Sequence, residues 1–268
     1  MTNPVLARQE CAATVLGGPT AIIDLGGLRI VTDPTFDDAG PQGYLTKTAG
    51  PAATEDEVGP VDLVLVSHDL HPDNLDVRGR AFALAAPLVL TGPATAKRLG
   101  SPAIGLARWA SHFLPRPDGE GELTVLAVPA VHGPEDGERD GDGNVNCEVT
   151  GFVLAGRGLP TVYVSGDNAS IRTVAEISRR VPEIDVAVLN AGAARVPAKF
   201  SGRPLSLDSR RAGAAAAILG ASVVLAAHYD GWAHFSEGRA DLELAFEEAG
   251  LSSLLRMTEH RTWVPLKA

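Results

Sequence analysis

The sequence predicts one large α/β domain in which sheets are covered by helices. The chain has 268 residues, 45% of them hydrophobic, which is enough to bury a full core without disulfides or a partner. Its β-rich segments come first as a run and then alternate with helical segments, an order typical of layered sheets and helices. Because neither an internal linker nor a short-period repeat is visible, we expect residues 1–268 to form a single domain.

The first part of the chain is predicted to form strands, with one long loop between them. Residues 20–25 and 28–32 are β-rich runs joined by two glycines, which is a hairpin signal. Residues 37–60 are rich in glycine and proline and predict a long loop. The continuous apolar run 61–66 has the pattern of a buried strand that ends in a polar loop.

Strands and helices alternate in the rest of the chain. The acidic, glycine-rich residues 133–146 predict an exposed loop between two of the strands. The β-rich runs predict strands over residues 88–91, 123–131, 151–154, 161–164, 186–189 and 222–227, with a terminal strand near residue 263. Helical patterns cover residues 93–99, 171–181, 208–219 and 239–249.

Potential metal ligands follow four of the predicted strands, at the point where each strand ends. Four of the seven histidines lie in the first few positions after a β-run. Because loops that leave strand ends gather at one edge of a sheet, we expect these side chains to converge. A divalent ion with nitrogen and oxygen ligands is the simplest reason for such a cluster. The predicted metal ligands are His68, His71, Asp73, His132, Asp167 and His228.

These residues resemble a known pattern. Residues 67–74 are similar to the metallo-β-lactamase superfamily signature H-x-H-x-D-H, and His132, the turn at 165–167 and His228 match the remaining ligand positions in order. The resemblance implies a four-layer αββα sandwich. Residues 32–34 and 228–232 further resemble the branch that contains ascorbate-6-phosphate-lactonase-like hydrolases.

The same resemblance implies a metal-dependent hydrolase whose activated water attacks a small ester, lactone or phosphoester. One or two divalent ions are expected, zinc or manganese. By analogy, a first ion would be held by the three histidines of the early positions, and a second by two aspartates and the late histidine, with one aspartate bridging. The first set is His68, His71 and His132, and the second is Asp73, Asp167 and His228, with Asp167 as the bridge.

Three further residues are assigned roles around these ions. Asp73 is a candidate to orient the water or take its proton, and His234 to donate a proton to the leaving group. His234 can equally be a packed residue beside its aromatic neighbours. Asp33 either accepts a hydrogen bond from a ligating histidine or forms an Asp-Pro turn.

Two departures from the signature leave alternatives open. His68 and His71 are three residues apart, with Leu70 as an extra residue between them, and Asn74 stands where the last histidine is expected. A neutral amide oxygen is a weak ligand for a transition metal. The alternatives are a degenerate metal-binding member without hydrolytic turnover and an iron-dependent oxidoreductase on the same fold.

Composition excludes several other classes. The net charge of −10 and the absence of a Lys/Arg cluster argue against nucleic acid. Cys11 and Cys147 belong to no C-x-x-C pair, so no thiolate zinc site is expected. Without a signal-peptide pattern or an apolar run long enough to span a membrane, we expect a cytoplasmic protein with a small-molecule substrate and no membrane partner. A homo-oligomer is left open.

Overall fold

The computed structural model describes residues 4–267, and this part of the chain contains fifteen strands and six α-helices. The strands are β1 (Cys11–Gly17), β2 (Thr20–Leu25), β3 (Leu28–Thr32), β4 (Gly40–Gln42), β5 (Leu45–Lys47), β6 (Leu63–Val66), β7 (Val89–Thr91), β8 (Ala103–Gly105), β9 (Ser111–Pro115), β10 (Glu122–Pro129), β11 (Thr150–Gly156), β12 (Val162–Val164), β13 (Val186–Asn190), β14 (Val223–Ala227) and β15 (Val264–Pro265). The helices are α1 (Glu55–Val58), α2 (Val77–Ala85), α3 (Pro93–Leu99), α4 (Ile171–Arg180), α5 (Ser209–Leu219) and α6 (Arg239–Glu248).

Two large mixed sheets carry the architecture. The first has the order β15-β1-β2-β3-β6-β7-β8, and the second has the order β14-β13-β12-β11-β10-β9. Strands β4 and β5 form a separate small hairpin. Within the first sheet β3, β6, β7 and β8 are parallel, and within the second β12, β13 and β14 are parallel. Parallel strands place their carboxyl ends at one edge, which is where loops bearing functional side chains collect.

The two sheets stack face to face over a shared hydrophobic core. Ile23 and Leu63 of the first sheet belong to the same buried cluster as Val125, Phe152 and Val186 of the second. Alternate residues of one strand point to opposite faces of its sheet. Strand β6 therefore needs an apolar residue at every position, because its other two side chains enter the cluster on the outer face.

Helices cover the outer faces of both sheets. Helices α4, α5 and α6 contribute Val174, Ala215 and Phe246 to the cluster on the outer face of the second sheet. Helices α1 and α2 contribute Val58 and Ala83 to the cluster on the outer face of the first. The layers therefore follow the order αββα, and the predicted fold class is confirmed.

Several elements differ from the prediction, because strands β1, β8 and β9 lie where no element was predicted. Residues 37–60 contain the hairpin β4–β5 and helix α1 in addition to loop. Helix α2 was absent from the predicted elements because Gly79, a poor helix former, sits in its first turn. A side chain there would collide with the carbonyl oxygen of Pro34, so close packing of the backbones requires glycine. Within residues 4–267, no helix combines the length and apolar character needed to cross a membrane.

Candidate metal centre

Three histidines from two sheets meet at the edge where β6 and β10 end. Nε2 of His68 lies 2.8 Å from Nδ1 of His71, and this Nδ1 lies 3.1 Å from Nε2 of His132. Cys147, from the segment before β11, completes a group in which the donor atoms all lie within 4.8 Å of one another. All four side chains are buried. We call these four residues the histidine group.

Two carboxylates and a histidine form a second group. Nε2 of His228 lies 3.2 Å from Oδ2 of Asp73 and 3.4 Å from Oδ1 of Asp167, and the three donor atoms lie within 4.8 Å of one another. We call these residues the carboxylate group. Asp167 also connects the groups, because its Oδ2 lies 3.7 Å from Nδ1 of His132. The fold thus brings all six sequence-predicted ligands together.

The histidine group is held neutral. Burial and, to a smaller extent, the neighbouring histidines lower the pKa of His68 well below its ordinary value and that of His71 to about 4. Burial also lowers the pKa of His132. Nδ1 of His132 lies 2.8 Å from the carbonyl oxygen of Leu205, which can only accept a hydrogen bond. The ring proton is therefore on Nδ1, and the lone pair of Nε2 faces the other two histidines.

The carboxylate group is ionised. Burial raises the pKa of Asp73, but hydrogen bonds from His228 and His234 outweigh it and hold that pKa well below its usual range. Burial also raises the pKa of Asp167, but the positive charge of the neighbouring His228 outweighs it and lowers that pKa. Oδ1 of Asp73 and Oδ2 of Asp167 are buried without a hydrogen-bond partner. Unpaired buried anionic oxygens are costly, so these oxygens and the converging imidazole nitrogens suit divalent cations.

Asp33 supports His68 through an intervening serine. Its carboxylate accepts hydrogen bonds from the backbone N–H and the hydroxyl of Ser67 at 2.6 and 2.8 Å, and this hydroxyl lies 3.0 Å from Nδ1 of His68. Burial raises the pKa of Asp33 to about 7 despite these bonds. Asp33 therefore orients a histidine indirectly, and the direct hydrogen bond expected from the sequence is absent among the described residues.

The two departures from the signature have clear structural outcomes. Leu70 is 49% exposed, so the extra residue points away and leaves His71 free to face His68. Asn74 is fully buried. Its side-chain amide donates hydrogen bonds of 3.3 Å to Asp33 and to Asp167. Asn74 thus orients a carboxylate ligand, as Asn190 does with a 2.8 Å bond to Asp167.

His234 both packs and contacts the carboxylate group. Its Nε2 lies 2.9 Å from Oδ2 of Asp73. Its ring centroid lies 4.6 Å from that of Phe235 and 6.2 Å from that of Trp232. The two roles considered for His234 from the sequence are therefore compatible in one position.

Cys147 is a candidate donor that the sequence reasoning missed. The expectation that cysteine takes no part rested on local spacing, but this thiol reaches the histidine group from a distant loop. Its only signal in the sequence was its position shortly before a predicted strand. Cys11 lies in β1 and belongs to neither donor group.

Comparison with known proteins identifies the family. A model described as a beta-lactamase superfamily domain matches residues 28–229. This chain belongs to the beta-lactamase superfamily. A UPF0173 metal-dependent hydrolase of Methanosphaerula palustris is 33% identical over 193 residues, which are 70% of this chain and 75% of that protein. The predicted superfamily is therefore confirmed, whereas the ascorbate-6-phosphate-lactonase-like branch stays a prediction.

Solved structures of low sequence identity share the fold. A possible metal-dependent hydrolase from Veillonella parvula has a TM-score of 0.81 at 15% identity, with 96% of this chain and 100% of that chain covered. An isothiocyanate hydrolase from Delia radicum gut bacteria has a TM-score of 0.78 at 19% identity, covering 94% and 98%. The diiron β-hydroxylase CmlA from Streptomyces venezuelae has a TM-score of 0.69 at 14% identity, covering 97% and 55%.

Proposed function

We propose that this superfamily member is a metal-dependent hydrolase that acts on a small ester, lactone or phosphoester. The observation that carries the proposal is the pair of adjacent donor groups, which contain two unpaired, buried carboxylate oxygens beside neutral histidines. The relative named as a metal-dependent hydrolase supports the same reading. One ion would be held by the histidine group and a second by the carboxylate group, with Asp167 between them.

Zinc or manganese bound here would lower the pKa of water and polarise a carbonyl or phosphoryl oxygen of the substrate. The chain itself supplies the ligands and holds them rigidly. Ser67 and the Leu205 carbonyl fix the rings of His68 and His132, and the amides of Asn74 and Asn190 fix one oxygen of Asp167. Because these donors are already fixed in place, the site does not need to reorganise during the reaction.

Proton transfer is assigned to Asp73 and His234. Asp73 is ionised and can orient the attacking water or accept its proton. His234 lies 2.9 Å from Asp73 and is 10% exposed, so it stands between the buried carboxylate and the solvent side. It is therefore placed to pass a proton to a leaving group.

The test is reconstitution of metal-free protein followed by hydrolysis assays. Protein loaded with zinc or manganese should hydrolyse at least one substrate in a screen of esters, lactones and phosphodiesters, and an isothiocyanate is added because a structural neighbour hydrolyses one. His132→Ala should abolish turnover, since it removes a histidine of the first group. His112→Ala is the matched control, because His112 lies in β9, outside both donor groups.

Two outcomes would decide against the proposal. Metal-loaded protein that hydrolyses nothing in the whole screen would favour a degenerate, metal-binding member. Oxygen consumption by iron-loaded protein, without hydrolysis, would favour an iron-dependent oxidoreductase on this fold.

A further inference from the structure

The thiol of Cys147 is enclosed at the histidine group. Cys147 is 8% exposed, and its sulfur is within 4.8 Å of one donor nitrogen on each of three buried histidines. Within residues 4–267, no hydrogen bond uses this sulfur. Cys147 packs with Ala130 and Val149 in a small apolar cluster, but its sulfur also lies close to three converging imidazole nitrogens, so apolar packing alone does not account for its position.

The three imidazole nitrogens face one another around a position that suits a positively charged ion. Nδ1 of His71 faces both Nε2 of His68 and Nε2 of His132, and the Leu205 carbonyl directs the lone pair of His132 inward. Nδ1 of His71 can form a hydrogen bond with only one of these two nitrogens, so the other close N–N contact is unfavourable without a shared cation. Three nitrogens and one sulfur form the four-donor set that zinc binds tetrahedrally.

We propose that the Cys147 thiolate is the fourth protein ligand of the ion held by the histidine group, and that it makes this site select zinc or cobalt over manganese. This inference rests on the proposed function in one respect only, namely that an ion binds to the histidine group. The sulfur–metal bond forms as the S–H bond breaks, the proton leaves to solvent, and the ion stays divalent. A soft thiolate favours zinc-like ions, whereas manganese prefers oxygen ligands.

Ligation by Cys147 would give the two donor groups different roles. A metal site with four protein ligands is closed and holds its ion firmly, whereas a catalytic site keeps one position open. The carboxylate group, with three donors, would then provide the open position toward substrate.

Cobalt substitution tests the ligand directly. Metal-free protein loaded with one equivalent of Co²⁺ should develop the intense near-ultraviolet charge-transfer band of a cobalt–thiolate bond. Cys147→Ser should lose this band, and Cys11→Ser, the matched control on the chain's other cysteine, should keep it. Zinc affinity, measured by competition with a chelator, should fall at least about 10-fold in Cys147→Ser, since even loss of an outer-shell partner costs that much.

X-ray absorption on the wild type tests the ligand without any substitution. The zinc-loaded protein should show one sulfur at about 2.3 Å from the metal. Nitrogen and oxygen scatterers alone, a charge-transfer band that survives Cys147→Ser, or no cobalt binding would each overturn the proposal. Hydrolysis is scored separately: a sulfur ligand without turnover contradicts only the proposed function, and turnover without a sulfur ligand contradicts only this inference.

Discussion

Asn74 is a single residue that is expected to make the two donor groups differ in their affinity for metal. It lies beside Asp167, donates to it, and keeps its own carbonyl oxygen buried without a partner. A histidine at this position would offer an imidazole nitrogen, whereas the amide offers at most a weak oxygen ligand. The carboxylate group is therefore expected to bind its ion more weakly than the histidine group.

At the residue scale, we predict unequal metal stoichiometry. After dialysis, the wild type should retain one ion per chain and bind the second only with excess metal. Asn74→His should raise occupancy of the second site, because it adds a nitrogen donor next to Asp167. The measurement is metal content per chain by elemental analysis. Thermal unfolding is the control, since a larger side chain in a fully buried position strains the packing. Two tightly held ions in the wild type would contradict the prediction.

At the element scale, the close approach of two strand ends positions the late histidine. Strand β13 runs parallel to β14, and the chain continues past each into a tight contact between Gly192 and His228. A side chain at residue 192 would collide with the backbone carbonyl of His228. His228 itself has a φ of 60°, a left-handed conformation that nonglycine residues rarely adopt. The turn that positions His228 therefore depends on glycine at residue 192, which packs against it.

Gly192→Ala is predicted to damage this arrangement. The added methyl group must displace the His228 backbone, so we expect a loss of about 1–3 kcal/mol in the free energy of unfolding. Metal content of the carboxylate group should fall at the same time. Denaturant unfolding of metal-free protein and elemental analysis of loaded protein measure the two effects.

The matched control is Gly50→Ala. Gly50 lies in a loop with open space around the position of a side chain, so this change should leave both stability and metal content near the wild-type values. Wild-type behaviour of Gly192→Ala would show that the strand ends can separate without cost, against the prediction.

At the scale of the whole molecule, the candidate centre bridges the two sheets. His68 and His71 follow β6 of the first sheet, whereas His132 and Asp167 follow β10 and β12 of the second. An ion shared by these residues would connect the two halves of the sandwich across the edge of the central core. Because the unfolded chain does not preserve this arrangement, metal binding should stabilise the fold.

We therefore predict that metal removal lowers global stability. With free zinc about 1,000-fold above its dissociation constant, the free energy of unfolding should rise by about 4 kcal/mol over the chelated protein. His132→Ala should lose most of this increase, and His112→Ala should keep it. Calorimetry of loaded and chelated samples measures the difference. Identical unfolding midpoints with and without chelator would rule out a shared ion between the sheets.

The sequence by itself determined the layered fold and the order of the candidate metal ligands along the chain. Strands β2 and β3 and helix α3 have the predicted bounds, because apolar periodicity and turn residues act locally. The six predicted ligands stood out in the sequence because each lies within a few residues after the end of a strand. A strand end is a local pattern that can be recognised without knowing the path of the chain.

Tertiary structure alone decided which further residues join the site. Cys147 comes to the histidine group at the end of a long loop, and Asn74 turns its amide toward Asp33 and Asp167. Helix α2 depends on a backbone contact between Gly79 and Pro34, far apart in the chain. These outcomes follow from contacts between distant segments. Such contacts are set by the path of loops and the packing of layers, for which local residue patterns carry no signal.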